Sequence, residues 1–300
     1  MVCYHSDMTE IIPEKYQPSR EIRTNHRFST FEGALGDKKV FVKFAVDPEL
    51  KDRLPAEAAG LRAMRQLDPN ETLYRVPSVL ELTDDYIATE WAEGTPMAND
   101  FEEMNSAKIM QDLSYLVRLY AFIDQHPDSG AKLGDIVNNA IDKNIANLQT
   151  LEYGKYVNEK LVAELAEYIR ANAGRVETRT TNGDLQPGNI MVADGIKPTV
   201  IDCESYRDAW PRHYNIVNFV FNYGTEYPAL RGELKDMLVE YGHVIGVNPD
   251  DDVVSFNISA AVRSLQIIEE RLSGGDFSLE IKNHVEATIH NILNGQLFTK

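Results

Sequence analysis

Apolar and polar positions alternate along the first ninety residues and then give way to helical spacing. Residues 27–35 (RFSTFEGAL) and 40–45 (VFVKFA) are rich in β-branched and aromatic side chains and read as strands, joined by a turn at Gly36-Asp37-Lys38-Lys39. A helix is predicted from Pro55, where a missing N–H is tolerated, to about Leu67, with Leu61 and Met64 on one face. Short strands follow at 76–82 and 86–91, and Ala92-Glu93-Gly94-Thr95-Pro96 breaks the pattern. Helices are predicted at 107–124, 133–151, 158–173, 214–223, 227–245, 253–272 and 279–294, with a strand-loop-strand insert at 179–201. Within 253–272, Ile258, Ala261, Val262, Leu265, Ile268 and Leu272 form a core stripe. The predicted fold class is α+β: a sheet-and-helix lobe at 1–91 joined to a larger, mainly helical lobe at 92–300, with a cleft between them.

Composition narrows the function. The chain has 300 residues, 43% apolar and 26% charged, as in ordinary globular proteins, so disorder is a poor reading. Its formal net charge of −17 disfavours nucleic acid and anionic membranes, which need Lys and Arg to replace counterions, and leans towards a cationic substrate. Cys3 and Cys203 are too few for a disulfide framework or a zinc set and read as reduced thiols. No signal peptide or membrane-spanning run is visible, so a cytoplasmic location is expected. The seven histidines show no metal-ligand spacing.

The chemistry concentrates at Asn182-Gly183-Asp184-Leu185-Gln186-Pro187-Gly188-Asn189-Ile190, followed by a strand that ends in Asp202. Pro187 and Gly188 bend the loop so that Asp184 and Asn189 converge. Asn189 and Asp202 offer the hard oxygens that Mg²⁺ prefers, leaving Asp184 to orient an incoming hydroxyl. In the strand at 40–45, alternation puts Lys43 on the face of Phe41 and Ala45, opposite Val40, Val42 and Phe44. A lysine there needs a partner. Glu57 shares the helix stripe of Leu61 and Met64 and needs a cation, so the two are read as an ion pair over phosphates.

The ordered set Gly183-Asp184-x-x-Pro187-x-Asn189-Ile190, Ile201-Asp202, Lys43, Glu57 and Glu90-Trp91-Ala92-Glu93-Gly94 resembles the aminoglycoside phosphotransferase and choline kinase superfamily, small-molecule kinases with a protein-kinase-like fold. The resemblance spans about residues 27–220. It implies that Asp184 is the catalytic aspartate and that Asn189 and Asp202 bind Mg²⁺. It also implies that Lys43, held by Glu57, contacts the α- and β-phosphates, and that Thr89, Glu90, Trp91 and Ala92 form a hinge for the purine of ATP or GTP. The implied reaction moves the γ-phosphoryl group to a hydroxyl of an aminoglycoside-, choline- or amino-alcohol-like molecule. The alternative is a nucleotide-binding regulatory pseudokinase. Gln186 is read either as a γ-phosphate contact or as a solvated loop amide, and Glu204 and Asp208 either as acceptor-pocket residues or as surface charges. Three positions depart from the family: Asn182 replaces a histidine, Cys203 an aromatic residue and Asn215 an aspartate. No glycine-rich loop precedes Lys43; Gly33 and Gly36 fit the turn before its strand, and residues 23–29 are the candidate phosphate cover.

Overall fold

The structure, a computed structural model, describes residues 13–24, 27–126, 133–248 and 251–295. The chain forms two compact units, Met1–Asn105 with Asp184–Tyr206, and Ser106–Gly183 with Arg207–Lys300. The first unit runs to Asn105, and a segment far along the chain returns to it. Cys3 and residues 25–26, inside the candidate phosphate cover, lie outside the described residues.

The first unit is built on a five-stranded antiparallel sheet of β1 (Arg20–Thr24), β2 (Phe28–Leu35), β3 (Lys38–Ala45), β4 (Val79–Leu82) and β5 (Tyr86–Glu90), ordered β1-β2-β3-β5-β4. β1 escapes sequence reading because all five of its residues are exposed, so it shows no alternation. Such charge-rich edge strands discourage further pairing. The β2–β3 turn is two residues long, since Lys38 and Lys39 pair with Leu35 and Ala34. Gly36 takes the left-handed φ (61°) the turn requires. Gly33 is not in that turn: it pairs with Val40 in mid-strand, and a Cβ there would lie 2.4 Å from the Tyr16 carbonyl oxygen. One sheet face buries Tyr16, Phe31, Val40, Val42, Phe44, Tyr86 and Ala88.

Helix α1 (Arg53–Leu67) packs against β4 and β5 and buries Leu54, Glu57, Ala58, Leu61 and Met64. It starts two residues before Pro55, which sits in the first turn where the N–H has no helical acceptor. The unit continues through β6 (Thr95–Pro96) and α2 (Ala98–Glu102), and ends with β8 (Ile190–Ala193) and β9 (Ile196–Val200), which join β6 in a small sheet ordered β6-β8-β9.

In the second unit, α3 (Ser106–Asp124), α4 (Leu133–Thr150) and α5 (Glu159–Asn172) precede β7 (Thr178–Thr181). Strand β10 (Arg207–Pro211) pairs with β7, and α6 (Tyr214–Glu226), α7 (Arg231–Ile245), α8 (Val253–Gly274) and α9 (Leu279–Leu293) complete it. Helix α8 packs on α4, α5, α6 and α9, and its core stripe is buried except for half-buried Leu272. Burial there exceeds one stripe because helices cover it on several sides. Among the described residues no helix is long and apolar enough to cross a membrane.

Candidate active site

Lys43 stands in β3 on the face turned away from the aromatic core, and its side chain is 8% exposed. Its Nζ lies 2.7 Å from Glu57 Oε2 on α1, 3.1 Å from Asp202 Oδ1 and 3.3 Å from Glu204 Oε2. It also sits 4.4 Å above the Phe28 ring. Burial opposes the charge on Lys43, but Glu57, Asp202 and Glu204 outweigh it and raise the ammonium above its ordinary value. Burial pushes the Glu57 carboxyl up; Lys43 pulls it back, and Asp202 and Glu204 push it further up. The cluster therefore carries more carboxylate than the single ammonium neutralises. Arg53 (3.1 Å) and Arg27 (3.5 Å) meet Glu204 from its other side.

The loop that carries Asp184 is set by backbone and amide bonds. Pro187–Asn189 forms a single 3₁₀ turn, and the Asn189 N–H donates to the Gln186 carbonyl at 2.8 Å. The Asn189 side-chain Nδ2 donates to the Asp184 carbonyl (2.8 Å) and to its Oδ2 (3.2 Å). With its N–H₂ committed to Asp184, the amide presents its oxygen elsewhere. Strands β8 and β9 then bring Asp202 back: Ile190 pairs with Val200, and the Ile201 N–H donates to the Asn189 carbonyl at 3.0 Å. Asp184, Asn189, Asp202, Lys43 and Glu57 thus form one connected set within the first unit.

Asp202 adopts φ 53°, a left-handed conformation uncommon outside glycine, asparagine and aspartate. The segment after it is clamped by α1. A Cβ on Gly60 would lie 2.0 Å from the Cys203 carbonyl oxygen, so only glycine lets the helix that carries Glu57 come this close. Cys203 is fully buried, which suits a small apolar residue where the family has an aromatic one.

The remaining candidates fall in different places. Glu204 turns its carboxylate to Lys43, Arg53 and Arg27. Asp208 lies exposed on β10 in the second unit. Gln186 is half-buried, and both of its amide atoms lack a partner among the described residues. Thr89 is buried, with its hydroxyl on the Glu90 carbonyl at 3.2 Å. The N–H groups of Glu90 and Trp91 are taken by the carbonyls of Ser78 and Lys39, whereas the Ala92 N–H has no protein acceptor among the described residues.

In the second unit, Asn215 Oδ1 accepts from the Thr181 hydroxyl at 2.5 Å, and that hydroxyl accepts from the Gly183 N–H at 2.9 Å. Asn218 Nδ2 donates to the Gly183 carbonyl at 3.1 Å. Two amides therefore support the residue that precedes Asp184 in the chain. Asn182 is fully buried. Sequence reading missed Asn218, Gly60, Phe28 and the ammonium-facing role of Glu204. Of these, only Glu204 carried a signal, its position two residues after Asp202.

The donor set suits a hard divalent cation. Carboxylate oxygens of Glu57, Asp202 and Glu204 lie within 4.8 Å of one another, and oxygen donors with excess negative charge are what Mg²⁺ takes.

Residues 20–237 match the phosphotransferase enzyme family. No sequence among the curated proteins matches the chain. Among solved structures, a thermostable mutant of aminoglycoside phosphotransferase APH(4)-Ia, in a ternary complex with ADP and hygromycin B, superposes with a TM-score of 0.65 at 13% identity, covering 97% of this chain and 99% of that one. The streptomycin–ATP complex of APH(2")-IIa gives 0.59 at 12% identity, covering 99% of each chain. Choline kinase from Cryptosporidium parvum Iowa II gives 0.52 at 12% identity, covering 96% of this chain and 91% of that one. At these identities the likeness is one of fold, the α+β kinase-like fold. The chain belongs to the phosphotransferase enzyme family.

Proposed function

We propose that the chain transfers the γ-phosphoryl group of ATP or GTP, with Mg²⁺, to a hydroxyl of a small aminoglycoside-, choline- or amino-alcohol-like molecule. The observation that carries this reading is the placement of the Lys43 ammonium, 2.7 Å from Glu57 and 3.1 Å from Asp202, in a set that Asn189 extends to Asp184. The solved relatives bound to ADP and ATP support the nucleotide. The formal charge of −17 supports a cationic acceptor.

Asp202 and Asn189 would hold the metal, the first through its carboxylate and the second through the amide oxygen that its bond to Asp184 leaves over. Bound there, Mg²⁺ would neutralise charge on the phosphate oxygens. Glu57 orients Lys43 towards the α- and β-phosphates. Glu204, tied to Lys43 and two arginines, belongs on this nucleotide side rather than in an acceptor pocket; exposed Asp208 is the acceptor-side candidate. Gln186 Nε2 gains an acceptor if it reaches the γ-phosphate. The backbone of Thr89, Glu90, Trp91 and Ala92 contacts the purine, with the Ala92 N–H as donor. Asp184 aligns the acceptor hydroxyl and takes its proton late, because the transition state is loose and positioning does most of the work. Residues 1–91 serve as the nucleotide lobe and the helical remainder as the acceptor lobe, in the cytoplasm.

The test is a coupled nucleotide-consumption screen with ATP and with GTP, with Mg²⁺ and with EDTA, against aminoglycosides, choline, ethanolamine, amino alcohols and sugars. Mg²⁺-dependent consumption that requires one of these alcohols is expected. Nucleotide binding by calorimetry with no turnover on any acceptor class would favour the regulatory pseudokinase instead.

A further inference from the structure

The helices of the second unit line a partly open cavity that the proposed phosphotransfer chemistry does not use. It measures about 180 Å³, and its wall is mainly apolar, with Val220 and Phe221 from α6 and Leu234 and Leu238 from α7. Three polar side chains interrupt that wall, Arg231 at the start of α7 and His284 and Thr288 on α9. Arg231 and His284 also line an adjoining, more open cavity of about 620 Å³, where Leu279 stands exposed and Glu280 contributes the one carboxylate of the wall.

Arg231 donates through Nε to the Gly224 carbonyl at 2.9 Å, and no carboxylate pairs with it among the described residues. Arg231 is exposed at the rim, so apart from its Nε bond the guanidinium is open to a ligand. His284 sits edge-on to Phe221 at 4.7 Å, and its Nε2 is buried with no hydrogen-bond partner among the described residues. A buried ring nitrogen without a partner carries a desolvation cost that a ligand atom would remove. Burial, and then the charge of Arg231, push the His284 pKa down to about 4, so at neutral pH the ring is uncharged and keeps one N–H to donate.

We propose that this cavity is a binding site for a small monocarboxylate with a compact apolar body, such as an aromatic ring or a short alkyl chain. Arg231 and His284 take the carboxylate, and Val220, Phe221, Leu234 and Leu238 enclose the body. An apolar cavity of about 150 Å³ is known to hold a benzene ring, so the volume suits the class. The chemistry is opposite to that of a cationic phosphoryl acceptor, and the proposal does not depend on the identity of that acceptor.

The experiment is titration of the full-length protein with benzoate and with neutral, nearly isosteric benzamide, followed by saturation-transfer NMR and calorimetry. Benzoate is expected to bind at least about tenfold more tightly than benzamide, the margin a charge-assisted hydrogen bond supplies. Arg231→Gln should bring benzoate down to the benzamide level. Gly224→Leu is the second variant: Gly224 lines the cavity, and beyond its own helix a Cβ there meets only Leu234 Cδ1, at 3.7 Å, so a larger side chain grows into the cavity. It should abolish binding of both compounds while the thermal midpoint of the free protein holds. Equal affinity for benzoate and benzamide, binding unchanged in either variant, or no binding at millimolar concentration would each overturn the proposal.

Discussion

Each unit buries a polar cluster, and the two clusters are built on different logic. In the first, Lys43 faces three carboxylates, and Asp202 keeps 40% of its side chain exposed. In the second, His213 is fully buried, and both ring nitrogens are taken, Nδ1 by the Tyr241 hydroxyl (2.9 Å) and Nε2 by Asp252 (2.9 Å). Asp124 there accepts from the His213 N–H (3.0 Å) and from Arg212 Nε (3.1 Å), and the imidazole stacks on Phe256 with centroids 4.1 Å apart. In the His213 cluster both ring nitrogens and both Asp124 oxygens are already bonded within the protein. The Lys43 cluster keeps an accessible carboxylate, Asp202, at its rim, which a metal–nucleotide complex would complete. Burial alone does not separate function from structure; spare bonding capacity does.

Asp184→Ala probes the open cluster most strongly. It should lower kcat by about 10²–10⁴ while Mg²⁺–nucleotide affinity by calorimetry holds, since Asp184 bonds Asn189 and not Lys43. Turnover like the wild type's would remove Asp184 from the mechanism. Asp124→Ala tests the His213 cluster. It strands Arg212 and the His213 N–H and should cost about 3 kcal/mol in urea denaturation, with kcat of the folded protein unchanged. A variant as stable as the wild type but inactive would reverse the assignment of the two clusters.

Gly60→Ala asks how tightly the open cluster depends on the approach of α1. The new methyl must displace the Cys203 carbonyl or the helix, moving Glu57 away from Lys43, and about a tenfold fall in kcat/KM for nucleotide is expected. Unchanged nucleotide kinetics would show that the Lys43–Glu57 contact tolerates that shift.

The smallest effect is electrostatic and lies outside both clusters. Hydrogen bonds from Lys15, then Tyr16 and Tyr86, hold the Glu81 carboxyl down at about 2, against an ordinary value of about 4.5. Its contribution to stability is therefore complete above about pH 4.5 and is lost as the pH falls towards 2. Glu81→Gln should flatten that part of the acid-denaturation curve. An identical slope in the variant would assign the acid sensitivity to other carboxylates.

Long helices were legible because their apolar periodicity repeats over several turns, as in the core stripe of α8. The motif residues were legible because residues 184–189 pack an aspartate, a proline and an asparagine into six positions. Strand β1 was not legible, because all of its residues face water and leave no pattern. Strand β10 was not either, because its pairing with β7 depends on a partner far away in the chain.

By itself the sequence determined the order of elements, the identity of the chemical groups and the demand that Lys43 and Glu57 find each other. Tertiary structure decided the rest: Glu204, 161 positions from Lys43, turns to the ammonium; Gly60 admits the Cys203 carbonyl; Arg231 stands at an apolar wall with no carboxylate partner among the described residues. Local spacing records which groups a segment carries. Which of them share a low-dielectric site is settled when distant segments pack, because only packing removes the water that would otherwise satisfy each one separately.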